Sequence, residues 1–426
     1  MMADCPYPGC EAQISESERQ CSICGGITLI CPACKAANRI FARFCRICGN
    51  LLPQQPGWGI FKGSPSFSGY CPESQAPNIK LNSLWDLNLS VNVDAPILFY
   101  NDIVVVCSSN GNIFLINGAN GNLIANVSCG IGESIFYAPA ICYNRLLIPC
   151  LQKIYSFSLS SLSLAQAGNR PNLNPVPILE LEGDEKICCG LNACGEMFFT
   201  LSQMENDGLY YLHIIHGWDK TKRGFFPIDS NRLAYPVTDG EYIYVLDDKG
   251  FLTLFHIENM KKYWAQSLNL QVDTRKPPAV ANGYLYFVDN SSENKLHCCM
   301  LDNENNGWEC FSVGIITQVN SFSVSHYGFV VGDLTGFKFF DSSGMNPETP
   351  MAENVTSAVQ LDPILFPDRF LVIDQNGILI LFLAGNMNDT AKGVVGGHNF
   401  PTGLAYSNRK VCTCDTNGRL KCFSME

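Results

Sequence analysis

A unit of four short apolar runs recurs through most of the chain, and residues 234–264 hold its clearest copy. Its parts are a first run at 235–237, a turn at Asp239-Gly240, a second run at 242–246, a turn at 247–250, a third run at 251–257 and a fourth at Tyr263-Trp264. Runs this short, rich in Val, Ile, Tyr and Phe and bounded by Gly and Asp, are typical of strands joined by hairpins. We therefore predict a four-stranded antiparallel sheet for this unit.

Eight copies of the unit follow one another at spacings of 40 to 50 residues. Their first strands begin near Ala95, Ala138, Ile187, Tyr235, Pro277, Ser321, Asp362 and Thr402. One antiparallel sheet cannot bury both of its faces alone, whereas sheets arranged around an axis cover each other. We predict an all-β fold containing an eight-bladed β-propeller, with seven blades as the alternative because the third copy is degenerate.

The last copy supplies only three strands, so its sheet needs a fourth strand from elsewhere. Residues 84–89, Leu-Trp-Asp-Leu-Asn-Leu, precede the first copy, and Trp85 matches Trp264 in the outer strand of the clearest copy. We predict that 84–89 pairs with 420–424 and joins the two ends of the ring.

Paired cysteines dominate the first fifty residues. Two sets of four share an inner gap of ten residues: Cys5, Cys10, Cys21 and Cys24, then Cys31, Cys34, Cys45 and Cys48. Four converging thiolates make a tetrahedral site that zinc favours, so we predict two structural zinc ions. A segment this small cannot build an adequate core, so metal must supply its folding energy. Unligated cysteines, an iron–sulfur cluster and disulfides are the alternatives.

This segment resembles the double zinc ribbon family. Cys31-Pro-Ala-Cys34, residues 43–49 (RFCRICG) and the tandem layout carry the resemblance, while the first knuckle, Cys5 to Cys10, is two residues longer than usual. The resemblance covers roughly an eighth of the chain. It implies closed structural sites used as adaptors, and no catalysis.

The second ribbon is basic. Its 31–50 stretch contains Lys35, Arg39, Arg43 and Arg46, no acidic residue, and the aromatic residues Phe41 and Phe44. Basic residues interleaved with aromatic residues can bind nucleic acid or an acidic protein partner. They can equally form a solvent-exposed face, with the two aromatic rings packed on the zinc site. Four charges are few for phosphate binding, so we favour the solvated face.

Residues 51–83 form the boundary between ribbons and propeller. They contain five prolines and four glycines without a sustained period, which indicates an extended linker. The linker is too apolar for a free spacer, and we expect it to dock on the large domain rather than bind a partner. Its large apolar residues are Trp58, Ile60, Phe61, Phe67 and Tyr70. The predicted domains are therefore zinc ribbons at 1–50, a linker at 51–83 and a propeller at 84–426.

Charge and composition narrow the function. The net charge is −11; residues 1–50 carry five Lys and Arg against four Asp and Glu, and the rest carries 23 against 35. The acidic propeller is therefore a poor nucleic-acid binder. No apolar signal region opens the sequence and no run reaches the length of a membrane span, so we expect a cytoplasmic protein without membrane contact. Fourteen cysteines are scattered outside the two sets, and we expect them to be reduced and buried.

The repeats resemble propeller repeats of the pyrroloquinoline-quinone type, which also occur in cofactor-free relatives. Matching pieces include 138–140 (APA), 110–116 (NGNIFLI), 282–286 (NGYLY) and 417–420 (NGRL), and the match covers about four-fifths of the chain. In enzymes of this type the resemblance implies a quinone, calcium, a basic residue and a vicinal disulfide. Cys188-Cys189 and Cys298-Cys299 are vicinal, but both fall in predicted strands, where neighbouring side chains point to opposite faces. We therefore predict that the chain is not an enzyme.

No other motif indicates catalysis. The six histidines (His213, His216, His256, His297, His326 and His398) show no ligand spacing, and Asp247, Asp248, Asp289 and Asp333 are expected to form turns. The favoured function is a scaffold or adaptor that mediates protein–protein interactions in a cytosolic complex through the propeller faces and the zinc ribbons. The alternatives are a nucleic-acid-associated subunit that uses the basic second ribbon, and a quinone-dependent dehydrogenase.

Overall fold

The fold was taken from a computed structural model. It describes residues 80–425 except for 101, 131, 143–144, 159–173, 207, 218–222, 258, 282–283, 301–309, 313–317, 326–327, 335, 342–351, 355–360, 367–368, 384–385 and 397–402. Ahead of residue 80 it describes only residues 2–4, 12–15, 28–31, 35–39, 57–58 and 62. No α-helix occurs among these residues, and the fold is all-β as predicted.

Five short strands precede the repeats: β1 (Met2–Asp4), β2 (Gln13–Ser15), β3 (Thr28–Ile30), β4 (Ala37–Arg39) and β5 (Gly57–Trp58). A longer strand, β6 (Leu81–Asn88), follows them. β1 pairs with β2 and β3 pairs with β4, so each predicted ribbon contains an antiparallel hairpin.

The repeats form eight antiparallel sheets, called blades 1 to 8 in chain order, within the described chain. Blade 1 contains β7 (Leu98–Tyr100), β8 (Ile103–Cys107), β9 (Asn112–Asn117) and β10 (Leu123–Ser128); blade 2 contains β11 (Ala140–Cys142), β12 (Arg145–Pro149), β13 (Lys153–Ser158) and β14 (Val176–Glu180); blade 3 contains β15 (Glu185–Ile187), β16 (Asn192–Cys194), β17 (Met197–Met204), β18 (Tyr210–His216) and β19 (Arg223–Ile228); blade 4 contains β20 (Val237–Thr238), β21 (Tyr242–Leu246), β22 (Phe251–His256) and β23 (Lys261–Ser267).

The second half of the ring repeats the same order of strands. Blade 5 contains β24 (Ala279–Ala281), β25 (Tyr284–Val288), β26 (Leu296–Met300) and β27 (Cys310–Ser312); blade 6 contains β28 (Ser321–Val324), β29 (Gly328–Gly332), β30 (Phe337–Asp341) and β31 (Ala352–Asn354); blade 7 contains β32 (Ile364–Leu365), β33 (Arg369–Ile373), β34 (Ile378–Leu383) and β35 (Asn386–Val394); blade 8 contains β36 (Leu404–Ser407), β37 (Lys410–Cys414) and β38 (Arg419–Met425), with β6 as its outer strand. The eight-bladed propeller is confirmed, and the seven-bladed alternative is wrong.

Turn chemistry explains why the hairpins form where the sequence predicts them. In blade 4 the carboxylate of Asp247 accepts hydrogen bonds from the backbone N–H groups of Lys249 (3.0 Å) and Phe251 (2.6 Å). Gly250 follows at φ 76°, and a side chain there would overlap the carbonyl oxygen of Leu270. Asp374 and Asp415 make the same bonds in blades 7 and 8, so these buried carboxylates act as turn formers.

The strand β6 closes the ring. It pairs antiparallel with β38, with Leu420 opposite Leu87 and Cys422 opposite Trp85. Trp264 occupies the equivalent place in blade 4, opposite Leu254, and a bulge follows the pair in both blades. The predicted pairing of the two chain ends is therefore present, although the strand begins at Leu81, three residues earlier than expected.

Neighbouring blades cover each other's apolar faces, which supplies the core. One buried cluster joins Val105 of blade 1 to Ile148 of blade 2. Another joins blades 6 and 7, where the rings of Phe337 and Phe370 meet edge to face at 5.2 Å. Innermost strands also contact one another around the axis, including β7 with β36. The result is a stiff ring in which no blade face is left to solvent alone.

Blade 3 departs from the pattern. Its innermost strand is broken into β15 and β16, and both pieces pair with β17. A side chain at Gly190, inside the break, would meet the backbone N of Ala138 at 2.8 Å and the hydroxyl of Tyr235 at 2.8 Å. Close packing against the flanking blades therefore accounts for the degenerate third copy.

Candidate functional site

A cavity of about 330 Å³ opens on the axis of the ring, where the innermost strands begin. Residues from most blades line it, among them Asp94, Tyr235, Lys276, Ser321, Asp362 and Leu404. Because all innermost strands run in the same direction around a propeller, their first residues converge on one face. The cavity is about twice as large as a second candidate groove of about 170 Å³, described below.

The linker reaches this cavity. Gly57 and Trp58 of β5 pair with Tyr100 and Phe99, which extends blade 1 at its inner edge. Lys62 then enters the cavity, where its side chain is only 2% exposed. The linker therefore docks on the large domain at residues 57–58 and 62, while Ile60, Phe61, Phe67 and Tyr70 lie outside the described residues.

Three groups hold the ammonium of Lys62. Its Nζ lies 3.1 Å from Oδ1 of Asp362 and donates a 3.3 Å hydrogen bond to the carbonyl oxygen of Phe322. It also lies 4.7 Å from the centre of the Phe322 ring, within range of a cation–π contact. The backbone N–H of Phe322 donates to the same carboxylate oxygen at 3.2 Å, which orients Asp362.

Other charges at the cavity have partners of their own. Asp273 accepts two hydrogen bonds from the guanidinium of Arg275, at 2.8 and 3.0 Å. Lys276 donates to the carbonyl oxygen of Val319, and burial lowers its pKa although Asp273 opposes the shift. Asp94 bonds to the hydroxyl of Ser109. Asp362 is therefore the carboxylate that remains available to Lys62.

One hydroxyl at the cavity lacks a partner. Ser321 is 3% exposed, and among the described side chains its Oγ is one of few buried polar atoms without a hydrogen bond. An unsatisfied buried hydroxyl costs free energy. Because this Oγ is buried, the cost falls on the fold and the atom is not an open position for a ligand.

Two histidines, expected to be ordinary strand or loop residues, have buried acidic partners. Nε2 of His213 lies 2.9 Å from Glu185 and 2.8 Å from the hydroxyl of Ser202. His297 contacts Asp289 through Nε2 at 2.9 Å. Because one ring nitrogen of His213 meets both neighbours, the arrangement cannot relay a proton between Ser202 and Glu185 through the ring. His326 and His398 lie outside the described residues.

The described cysteines of the blades are buried or half-buried. Burial raises the pKa of Cys189 and of Cys194 to about 11, and it raises that of Cys107 still further. A thiol with a raised pKa stays protonated and is a poor nucleophile at neutral pH. These side chains therefore act as small apolar residues, as the sequence predicts.

One of the two vicinal pairs is not where the sequence places it. Cys298 and Cys299 lie in β26, as predicted. Cys188 and Cys189 lie in the break between β15 and β16, and no disulfide joins these two residues. The prediction of a strand at Cys188-Cys189 is wrong, because the packing of Gly190 bends the chain there. The strand argument against a vicinal disulfide therefore holds only for Cys298-Cys299.

Of the predicted zinc ligands, Cys31 is the one described. It is fully buried at the tip of the β3–β4 hairpin, and its carbonyl accepts a 2.9 Å hydrogen bond from the N–H of Lys35. Lys35 directly follows Cys34 and adopts φ 62°, the conformation that a zinc knuckle uses to turn its backbone amides toward sulfur. This local fold fits a thiolate site. Among the described residues no cluster of potential ligands is complete, and Cys5, Cys10, Cys21, Cys24, Cys34, Cys45 and Cys48 lie outside them.

The predicted basic contact is described in part. Lys35 is exposed at the hairpin tip and Arg39 ends β4, while Arg43 and Arg46 lie outside the described residues. The first hairpin meets the propeller: Ile14 is buried in a cluster that also contains residues of blades 2 to 5. The segment 1–50 that contains the predicted ribbons, called the appendage below, is therefore attached to the ring through apolar contact at Ile14.

A second, smaller groove lies at the outer edge of the ring between blades 3 and 4. This rim groove has a volume of about 170 Å³, and Pro227, Asp229, Phe251 and Lys262 are among its lining residues. The ring of Phe226 in β19 contacts that of Phe255 in blade 4 at 5.0 Å, so the neighbouring Phe225, which is 50% exposed, lies on the opposite face of β19 and outside the rim groove. The Phe225 ring stacks on that of Tyr211 at 4.4 Å.

Comparison with known proteins supports the fold alone. No family model matches the chain, and no curated protein matches it. Similar structures include BamB from Moraxella catarrhalis (13% identity, 81% of this chain, 97% of that one, TM-score 0.58) and Sqt1 from Saccharomyces cerevisiae (13%, 82%, 100%, 0.58). A quinohemoprotein alcohol dehydrogenase from Comamonas testosteroni is similar at 10% identity over 87% of this chain and 80% of that one, with a TM-score of 0.60. No helix in the described chain is long and apolar enough to cross a membrane. The chain thus has the β-propeller fold that these proteins share.

Proposed function

We propose that the chain is a non-catalytic adaptor that assembles a cytosolic protein complex through its propeller and its zinc ribbons. The observation that carries the proposal is the rim groove with its exposed aromatic residue. Phe251 lines the groove and is 42% exposed. Exposed aromatic side chains beside a groove mark contact surfaces, because such residues contribute most of the binding energy at protein interfaces.

A stiff frame supports this role. The ring is closed by β6, and the linker and the first hairpin are both anchored on it. Binding surfaces on such a frame lose little conformational entropy when a partner docks. The proposal includes two zinc ions bound by the eight paired cysteines, which would hold the appendage in shape.

Affinity purification from native cells tests the proposal. We expect the chain to recover a defined set of proteins, and expect Phe251→Ser, which alters the rim groove, to lose part of that set. Tyr263→Ser is the matched control, because Tyr263 is 58% exposed but lies outside the rim groove. A chain that lacks residues 1–50 should lose the proteins that the ribbons hold. Recovery of the same proteins by every variant would contradict the proposal.

Nucleic-acid binding is a second candidate, favoured by the exposure of Lys35 at the hairpin tip. Neutralising Lys35, Arg39, Arg43 and Arg46 should then abolish binding of labelled DNA or RNA, and binding by the intact chain should weaken steeply with salt. Binding that survives neutralisation, or that ignores salt, would exclude this role.

A further inference from the structure

The axial cavity contains a complete binding arrangement for a primary ammonium. A carboxylate, a carbonyl oxygen and an aromatic face converge on the Nζ of Lys62, all within 4.7 Å. These are the three kinds of group that recognise an ammonium, and they come from blades 6 and 7 rather than from the linker. We propose that this cavity is a lysine-recognition site, which Lys62 occupies in cis and a lysine side chain of a partner protein occupies in trans.

The Lys62 side chain is fixed by contacts with the cavity, as a bound ligand would be. Its backbone adopts φ 56°, a conformation that residues with a side chain rarely use, so the contacts in the cavity must compensate for it. Each neighbouring cation has a nearer hydrogen-bonding partner than Asp362: Arg275 is bonded to Asp273 and Lys276 to the carbonyl of Val319, although Asp362 also attracts Lys276 at longer range. Withdrawal of Lys62 would leave Asp362, which is 23% exposed at its side chain, ready for another ammonium.

The cavity is larger than one ammonium requires. Its volume of about 330 Å³ leaves room for a side chain together with part of a backbone. This extra room favours a lysine within a polypeptide over a free alkylamine, because backbone atoms beside the lysine stem can be buried there as well.

Charge supports a basic partner. The chain beyond residue 50 contains 23 Lys and Arg against 35 Asp and Glu. An acidic body attracts a lysine-bearing segment and speeds its encounter with the site. The inference rests on the proposed adaptor function only for the source of the lysine, because recognition of the ammonium itself needs the cavity alone.

Titration of the intact chain with N-acetyl-lysine methylamide tests the site. Lys62→Ala and Lys62→Met remove the internal competitor, so each should bind the probe at least tenfold more tightly than the wild type. Asp362→Asn added to either variant should reverse the gain, while Lys153→Ala, which removes a surface lysine paired with Glu180, should have no effect. The norleucine analogue, which lacks the ammonium, should not bind. Tight binding of that analogue, or binding that survives Asp362→Asn, would overturn the proposal.

Two further measurements complete the test. The lysine probe should bind more tightly than butylammonium, because the cavity has room for its backbone atoms; equal affinity for butylammonium and the probe would refute the assignment to a polypeptide lysine. In the wild type, an amine-acylating reagent should label Lys62 at least tenfold more slowly than Lys153, and the lysine probe should accelerate labelling of Lys62. Equal labelling rates would overturn the proposal even if the Lys62 variants failed to fold. Co-purification tests the adaptor function separately, so the two can fail independently.

Discussion

Replacement of Trp85 by Ala tests whether the outer strand β6 holds the ring closed. Trp85 donates a 3.0 Å hydrogen bond from Nε1 to the carbonyl oxygen of Gly118 in blade 1. Its indole also packs over Gly121, where an added Cβ would lie 2.9 Å from the ring. One side chain therefore ties the closing strand to the neighbouring blade.

The structure gives the size of the effect. Loss of the hydrogen bond costs about 1 kcal/mol, and loss of the half-buried ring costs about 2 kcal/mol more. A ring of roughly 340 residues has an unfolding entropy of about 0.7 kcal/mol per kelvin at about 2.1 cal/mol/K per residue, so Trp85→Ala should lower Tm by about 4 °C. Trp85→Phe keeps most of the ring and loses only the donor, and it should lower Tm by about 1–2 °C.

Scanning calorimetry of the wild type and the two variants measures these shifts. Tyr263→Ala is the control for loss of an aromatic residue from an outer strand that does not close the ring, and it should change Tm by less than Trp85→Ala. A Tm for Trp85→Ala within 1 °C of the wild type would refute the reasoning, because the closing contact would then contribute nothing to stability.

Removal of residues 81–88 should lower Tm by more than Trp85→Ala, since all of the β6–β38 pairing is lost; an unchanged melting temperature would contradict closure by this strand. Ser321→Ala should raise Tm by about 1–2 °C, because it removes an unsatisfied buried hydroxyl worth about 1 kcal/mol, whereas a fall would show that Ser321 has a partner. Atomic absorption should find two zinc ions per chain, and Cys31→Ser should reduce the count to one; a wild-type chain without zinc would remove the ribbon hypothesis. The hydrogen bond from Arg419 holds the pKa of Asp86 below its ordinary value, so the stabilisation by the Asp86 carboxylate is present above about pH 4 and is lost as the pH falls through that lowered pKa. Calorimetry should therefore show that Asp86→Asn lowers stability more at pH 7 than at pH 2. An equal loss at both pH values would disprove the linkage.

Local chemistry made most of the ring predictable. The hairpin at 242–257 is predictable from its two apolar runs and from Asp247 between them. The Asp247 carboxylate accepts hydrogen bonds from the backbone N–H groups two and four residues later. The hydrogen bonds from Asp247 that shape this turn reach no further than four residues along the chain, so they can be predicted from the sequence. The predicted strands of the clearest copy accordingly differ from those observed by only a few residues at their ends, as with β22 at Phe251–His256 against a prediction of 251–257.

Contacts between distant residues escaped prediction. The break in blade 3 depends on Gly190 meeting Ala138 and Tyr235, which come from different blades. Lys62 meets Phe322 across 260 positions, and nothing near Lys62 in the chain indicates an acidic partner. Glu185 and His213, 28 positions apart, come together only because both strands pair with β17. Such sites emerge from ring geometry and have no local signal.

Two of the contacts that attach residues 1–88 to the ring differ greatly in extent. β6 is bonded along its length to β38, and Arg419 adds two hydrogen bonds to Asp86 at 3.2 and 2.6 Å. Lys62, by contrast, is held in the cavity by one ion pair, one carbonyl and one ring. Because many paired residues secure the closing strand and a single side chain fills the cavity, Lys62 can leave without opening the ring. A partner lysine therefore needs to compete only with that side chain, and exchange at the axis is compatible with a rigid propeller.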